Sequence, residues 1–160
     1  MIAAPRPRAY VGIGANLGDA RATVRAAIER LRPLGLLRAS SLYRSAPVDA
    51  QGPAFINAVA ELESPLPPHA LLAALQSLEA EFGRERPYHH APRTLDLDLL
   101  LHGDTVLHTP TLTLPHPRLH LRAFVLRPLL ELAPAQRAPG LGLLAEHLPA
   151  TAGQTIERLT

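Results

Sequence analysis

Two aspartates, Asp96 and Asp98, stand two positions apart in the segment from residue 94 to residue 101. Side chains alternate between the two faces of a β-strand, so we expect both carboxylates on one face, about 7 Å apart. Carboxylate oxygens are ligands that Mg²⁺ prefers, and a pair at this spacing suits two divalent ions bridged by a polyphosphate. Taken alone, the pair could equally be an ordinary solvated strand face.

Positively charged and titratable side chains flank this acidic pair in the sequence. Arg84 and Arg93 precede the strand. His116 and Arg122 follow it. Guanidinium groups bind phosphate oxygens through paired N–H donors. The sequence therefore favours a site in which metal ions neutralise phosphate from one side and arginines from the other.

Composition excludes several other chemistries. All 16 basic side chains are arginine, and cysteine is absent. A P-loop lysine, a Schiff base, a thiolate metal site and a disulfide are therefore excluded. The net charge of +2, with three Phe, three Tyr and no Trp, argues against a nucleic-acid surface, which usually combines clustered basic residues with stacking aromatics.

Hydrophobic periodicity predicts the elements that must position these residues. Strand patterns occur at residues 9–13, 36–44, 55–62, 94–101 and 105–109. Helical patterns occur at residues 24–34, 67–83, 122–132 and 143–148. The order of the first six elements predicts an α+β fold with a ferredoxin-like βαββαβ core, in which helices cover one face of an antiparallel sheet. A C-terminal hairpin and helical additions complete it.

The length of 160 residues predicts a single domain, with residues 1–8 as a flexible tail. The longest apolar run, Ala70 to Leu75, falls far short of the roughly 20 residues of a membrane span. Residues 1–8 also lack the apolar stretch of a signal peptide. We therefore expect a cytoplasmic monomer with neither a membrane nor a nucleic-acid partner.

Several motifs resemble one known family when they are read in order. They are Gly12 to Gly18, Tyr43-Arg44 with Pro47, Phe55 to Ala58, Gly83-Arg84, Pro92 to Asp98, Pro115-His116 and Arg122-Ala123-Phe124. The family is 6-hydroxymethyl-7,8-dihydropterin pyrophosphokinase, or 2-amino-4-hydroxy-6-hydroxymethyldihydropteridine diphosphokinase, of folate biosynthesis. The resemblance runs from about Tyr10 to Pro134, and it implies the same ferredoxin-like fold.

The resemblance implies that the β,γ-diphosphoryl group of ATP moves to the hydroxymethyl group of 6-hydroxymethyl-7,8-dihydropterin, giving AMP and the pterin diphosphate. It implies two Mg²⁺ ions on ATP, held by Asp96 and Asp98, and catalytic roles for both aspartates and for Arg84 and Arg93 in two loops. The ATP contacts that it implies are Arg84, Arg93, Leu99, Thr113, His116 and Arg122.

For the pterin, the resemblance implies a hydrogen bond from Asn57 and stacking between Phe55 and Phe124. An amide offers donors and an acceptor to the mixed edge of the ring, and flat aromatic rings stack on it. The remaining pterin contacts that the resemblance implies are made by the segment of Ser45, Ala46 and Val48.

The chain departs from the family pattern at two places. His89-His90 replaces an Arg-Trp pair of many members, and we interpret the two histidines as solvated loop residues. Pro117 stands where some members have an aromatic residue. Two alternatives remain open: a ferredoxin-like RNA-binding module, and a metal-dependent nucleotidyltransferase that would release pyrophosphate.

Overall fold

An antiparallel sheet and the helices on its two faces make up the fold. The computed structural model describes residues 6–47, 52–83 and 95–159. The first half of the chain forms β1 (Arg8–Ala15), α1 (Ala20–Arg30), β2 (Leu36–Ala39), β3 (Tyr43–Ser45), β4 (Phe55–Glu63), α2 (Pro68–Gly83) and β5 (Asp96–His102).

The second half adds a helix and short strands. It forms β6 (Leu107–His108), β7 (Thr113–Leu114), α3 (Ala123–Leu132), β8 (Arg137–Ala138), β9 (Gly142–Leu143), a 3-10 helix (Leu144–Thr151) and β10 (Ile156–Arg158). Within the described ranges, no helix is long and apolar enough to cross a membrane.

The main sheet has the spatial order β10-β3-β4-β1-β5, and β2 also pairs with β4. All of these pairings are antiparallel. The predicted α+β class with an antiparallel sheet is therefore confirmed. β1 begins at Arg8, the last residue of the predicted tail.

The prediction of one strand over residues 36–44 is wrong in one respect, because this segment forms two strands, β2 and β3. The split lies at Ser40. Its backbone N–H donates to the carbonyl of Val59, and its hydroxyl accepts from the backbone N–H of the same residue at 2.9 Å. A side chain thus takes the place of a backbone carbonyl and interrupts the ladder, which hydrophobic periodicity cannot predict.

Alternation of side chains divides the sheet into two faces. On β1, Val11 and Ile13 belong to the apolar core that includes residues of α1 and α2. Tyr10 belongs to a second core that includes residues of α3. α1 and α2 thus cover one face, and α3 covers part of the other, where Gly12 and Gly14 leave room.

α1 begins at a capping aspartate and is followed by a turn that ends in a glycine. Asp19 caps the helix, because its side chain accepts a hydrogen bond from the backbone N–H of Ala22 at 3.1 Å. A 3-10 turn then ends at Gly35, whose φ of 94° is costly for other residues. A Cβ at Gly35 would lie 2.2 Å from the carbonyl oxygen of Glu63, so no other residue fits here without a backbone shift.

A buried carboxylate links three elements on the face that carries α3. Glu61 on β4 is only 3% exposed, and it accepts hydrogen bonds from the hydroxyl of Tyr10 at 2.5 Å and from Arg38 Nε at 3.0 Å. Arg8 lies 3.3 Å from the same carboxylate. Burial alone raises the pKa of Glu61, but these hydrogen bonds and the two arginine charges hold it below its ordinary value.

We expect the Glu61→Ala substitution to lower the free energy of unfolding at pH 7 by about 1–3 kcal/mol, because it leaves the buried Tyr10 hydroxyl without its partner. Urea unfolding measures this change. The stabilisation is complete above the unfolded carboxyl pKa of about 4.3 and is lost as the pH falls through the lower folded pKa.

The matched control is Glu29→Ala, which removes an exposed carboxylate paired with Arg32 at 2.6 Å. Its effect on stability should be negligible, since exposed pairs contribute little. Equal losses in the two variants would contradict a special role for the buried carboxylate.

Candidate active site

A cavity of about 420 Å³ opens on the face of the sheet that α1 and α2 leave free. This size is typical of small-ligand sites. Its walls come from β1, β3, β4, β5 and the start of α3. The structure brings together eight of the residues singled out in the sequence, namely Ser45, Ala46, Phe55, Asn57, Asp96, Asp98, Arg122 and Phe124.

Asp96 and Asp98 form the acidic wall of the cavity. Both side chains are exposed, whereas Leu97 and Leu99 alternate with them and are buried against the core. The backbone N–H of Leu97 donates to Glu79 Oε2 on α2 at 2.8 Å. β5 stands at one end of the strand order, so this carboxylate satisfies a backbone donor of a terminal strand.

The donor set of the acidic wall fits a magnesium ion that carries phosphate ligands. In the part of the chain that the structure describes, no three His, Cys, Asp or Glu side chains cluster as a metal site. Asp96 and Asp98 supply hard oxygen ligands, and phosphate oxygens and water would complete the coordination. Mg²⁺ usually binds in this way, through one or two carboxylates and the phosphates of a substrate.

Arg122 faces the acidic wall from the start of α3. It occupies the N-cap position, and its half-buried side chain lines the cavity. The guanidinium carbon lies 5.3 Å from the centre of the Phe124 ring, which is a cation–π distance. Burial and the neighbouring charge of Arg118 lower the pKa of Arg122, and Asp98 acts in the opposite direction. A guanidinium nevertheless stays charged at neutral pH.

His116 lies beside these charges, although it does not line the cavity itself. Its backbone N–H donates to the carbonyl of Leu100 on β5 at 3.0 Å. Its Nδ1 accepts from the backbone N–H of Arg118 at 3.1 Å. The neutral ring therefore carries its proton on Nε2 and can donate from there.

Burial is the main cause that lowers the pKa of His116. The charges of Arg122 and Arg118 lower it further, and the carboxylate of Asp98 raises it in part. The neutral ring is therefore favoured. His116, Asp98 and Arg122 form one electrostatic group at the edge of the cavity.

The opposite wall carries an amide and two aromatic side chains. Asn57 on β4 is 4% exposed, and its Nδ2 donates to the hydroxyl of Ser45 on β3 at 2.7 Å. Phe55 and Phe124, both half-buried, also line this wall. A Cβ at Gly14 would lie 3.4 Å from Asn57 Oδ1, so glycine keeps the space in front of the amide open.

Other predicted site residues lie elsewhere. Leu99 is 2% exposed in the core that includes α1 and α2, so a contact with ATP would have to come from its backbone. Thr113 is half-buried on β7, where it pairs with His108, and it does not line the cavity. Pro117 is exposed.

Five predicted positions lie outside the described residues, and their roles stay predictions. They are Val48, Arg84, His89, His90 and Arg93.

The structure adds residues that the analysis of the sequence did not assign. Asn16 lines the cavity, and its Nδ2 donates to the carbonyl of Pro53 at 3.4 Å. Arg118 adds a positive charge next to His116 and Arg122. Asn16 lies inside the matched Gly12 to Gly18 motif, so that motif could have pointed to it. Nothing in the sequence distinguishes Arg118 from a surface arginine.

A family model and several known proteins are similar to this chain, and they all point to the same family. The family model described as 7,8-dihydro-6-hydroxymethylpterin-pyrophosphokinase (HPPK) matches residues 10–134. The 2-amino-4-hydroxy-6-hydroxymethyldihydropteridine pyrophosphokinase of Pseudomonas aeruginosa is 46% identical over 156 residues, covering 95% of this chain and 96% of that protein. Its Haemophilus influenzae counterpart is 39% identical over 142 residues, covering 86% and 89%.

Solved structures share the fold. An HPPK-DHPS crystal structure in complex with substrates superimposes with a TM-score of 0.73 at 12% identity and covers 92% of this chain. A Plasmodium falciparum HPPK-DHPS variant gives 0.74 at 12% identity and covers 90%. This chain spans 43% and 44% of those longer chains. At this identity, the similarity concerns the fold alone.

We expect NMR titration of the metal-free protein to give a His116 pKa below the value of about 6.5 of a free histidine, with the proton of the neutral ring on Nε2. Burial and the two neighbouring arginines disfavour the imidazolium. Asp98→Asn should lower this pKa further, because it removes the carboxylate that stabilises the charged ring.

The control is Asp104→Asn, which changes an exposed aspartate in the turn after β5 and should leave the His116 titration unchanged. A neutral ring protonated on Nδ1, or a pKa above about 6.5, would contradict the environment described for His116.

Proposed function

The chain belongs to the 7,8-dihydro-6-hydroxymethylpterin-pyrophosphokinase family and transfers diphosphate from ATP to the hydroxymethylpterin in folate biosynthesis; on this premise we propose that the cavity between β5 and β3 is its active site. The alternatives, an RNA-binding module and a nucleotidyltransferase, are not favoured.

One observation carries this proposal. In the register of the sheet, Gly14 on β1, the strand between β4 and β5, pairs with Asn57 on one side and with Asp96 on the other. Neighbouring strands lie about 4.8 Å apart, so the amide and the carboxylate stand on backbones about 10 Å apart, with a glycine between them. A pterin ring at Asn57 would extend its hydroxymethyl arm across Gly14 toward phosphates held at Asp96.

On the nucleotide side, we assign ATP and two Mg²⁺ ions to the acidic wall. Asp96 and Asp98 would hold the ions, which supply charge neutralisation to the phosphates when bound. Arg122 would bind the phosphates from the opposite side through its N–H donors, and His116 would donate from Nε2. Leu99 and Thr113 are assigned to the adenosine side.

On the pterin side, Asn57 would hydrogen-bond the edge of the ring. Its hydrogen bond with Ser45 orients the amide before the substrate arrives, which lowers the cost of binding. Phe55 and Phe124 would stack on the faces of the ring. The backbone of Ala46, with Ser45 and Val48, completes this side.

The hydroxymethyl oxygen attacks the β-phosphorus of ATP and releases its proton to solvent, and the bond from that phosphorus to the α,β-bridging oxygen breaks. AMP leaves. Arg84 and Arg93 are assigned to the phosphates in this step, where charge changes most. The described residues offer no placed general base beside the hydroxymethyl position, and a neutral His116 serves as a donor.

We propose further that the enzyme acts as a cytoplasmic monomer and a single domain, without nucleic-acid or membrane partners. The acidic pair on the open sheet face repels nucleic-acid phosphates, which supports the absence of nucleic acid.

The nucleotide products test the proposed chemistry. Incubation with ATP, Mg²⁺ and 6-hydroxymethyl-7,8-dihydropterin should give AMP and the pterin diphosphate in equal amounts by chromatography. Asp96→Asn and Asp98→Asn should each reduce this turnover by about a hundredfold or more, as removal of a key electrostatic group does, while the melting temperature stays close to that of the unmodified protein.

The matched control is again Asp104→Asn, which should keep full turnover. Stoichiometric ADP would instead indicate attack on the γ-phosphorus, and pyrophosphate with an adenylated pterin would indicate attack on the α-phosphorus. Either product, or full activity in an aspartate variant of the acidic wall, would refute the assignment.

Binding of the pterin tests the other wall. We expect Asn57→Ala to weaken pterin binding by about 1–3 kcal/mol, because polar groups of the bound ring lose their partner. Calorimetry with hydroxymethylpterin in the presence of an ATP analogue and Mg²⁺ measures this loss. Affinity for the analogue alone should change little, and an equal loss for both ligands would contradict the assignment of Asn57 to the pterin.

A further inference from the structure

Gln154 lies against the backbone at the start of α3. Its Oε1 accepts a hydrogen bond from the N–H of Ala123, and its Nε2 donates to the carbonyl of Leu121, both at 2.8 Å. These two backbone groups belong to the residues immediately before and after Arg122. A single carboxamide therefore holds the backbone on both sides of the arginine that lines the cavity.

The start of α3 needs such a partner. The first N–H groups of a helix have no acceptor within the helix, and a side-chain oxygen usually supplies one. Arg122 occupies the N-cap with extended backbone angles, φ −123° and ψ 118°, and its own side chain makes no capping hydrogen bond. A guanidinium has no acceptor atom, so Gln154 satisfies the helix from outside.

Hydrogen bonds hold the backbone on both sides of Gln154. Its backbone N–H donates to the carbonyl of Thr151, at the end of the 3-10 helix, at 2.9 Å. On its other side, the carbonyl of Thr155 accepts from the N–H of Ala46 at 3.3 Å, and Ile156 on β10 pairs with Ser45. The segment that carries Gln154 is therefore tied to both α3 and the pterin wall.

We propose that Gln154 is a positioning residue for Arg122: its two hydrogen bonds fix the backbone that directs the guanidinium toward the phosphates of ATP. This inference rests on the proposed contact between Arg122 and ATP. It gives an active-site role to a segment that lies beyond residues 10–134, the region that the family model matches.

The role of Gln154 is one of preorganisation. The contact with the ring of Phe124 restrains the side chain of Arg122, and the carboxamide of Gln154 restrains the backbone torsions on either side of its Cα. Without the carboxamide, those torsions would sample other values and the guanidinium would have to be ordered when ATP binds. The free-energy cost of that ordering would weaken the affinity for ATP.

Steady-state kinetics on purified Gln154→Ala tests the inference. We expect KM for ATP to rise by about threefold to tenfold, the usual effect of losing one or two hydrogen bonds, while KM for the pterin changes by less than about twofold. Direct titration with a non-hydrolysable ATP analogue and Mg²⁺ should show the same loss. Gln154→Glu keeps an acceptor for Ala123 and should recover part of the affinity.

The matched control is Gln136→Ala. The amide of Gln136 donates to the carbonyl of Arg137 at 2.8 Å, beside the β8–β9 hairpin and away from the cavity lining. Both KM values should stay unchanged in this variant. Assays run well below the melting temperature of each variant separate a loss of positioning from a loss of folded protein.

A double-mutant cycle with Arg122→Ala decides whether Gln154 acts through the arginine. In the Arg122→Ala background, Gln154→Ala should cause no further loss of ATP affinity. If both backgrounds lose equally, or if Gln154→Ala alone leaves ATP affinity intact, the positioning role is overturned while the Arg122 contact stands. If Arg122→Ala itself leaves ATP affinity intact, the proposed contact and the inference fall together.

Discussion

The alternation of side chains along β4, β1 and the start of β5 is the constraint on which the rest of the structure depends. On β5, Leu97 and Leu99 enter the core shared with α1 and α2, so Asp96 and Asp98 must face the opposite side. A shift of one residue in register would move the acidic pair into that core and the leucines into the cavity. The cost of burying two carboxylates in an apolar core makes such a shift prohibitive, and packing thereby fixes the acidic pair on the cavity side.

Along β4, the side chains on this face of the sheet pass from the cavity into the buried core. Asn57 lies in the cavity, Val59 is buried in the core that includes α3, and Glu61 ends the row in a closed cluster with Tyr10 and two arginines. The two polar side chains of this row on β4 therefore meet either the cavity or a buried partner. Gly14 on β1, opposite Asn57, has no side chain to pack against its neighbours. It therefore leaves the volume that a flat ring requires.

Local patterns were enough to predict the acidic strand and α2, because periodicity alone defines them. The split at Ser40 and the pairing of β10 with β3 depend on partners far away in the chain, and a two-residue strand such as β7 has no period to detect. The same limit holds for the site. The Asp96 and Asp98 pair follows from spacing, whereas the pterin residues came from a family resemblance, and Gln154 acts through a contact that only the fold creates.

Before any ligand binds, the charged groups of the cavity act on one another. Asp98 favours the charged forms of both Arg122 and His116, and the two cationic sites disfavour each other. Bare ATP would bring its phosphates against two carboxylates of the same sign, at a cost that cationic side chains such as Arg122 would have to offset. In the proposed site, ATP that carries Mg²⁺ would present cations to the aspartates and anionic oxygens to Arg122 at once, so each of these charges would exchange one opposite partner for another. The mixture of charges in this cavity would therefore favour the metal complex of the nucleotide over either component alone.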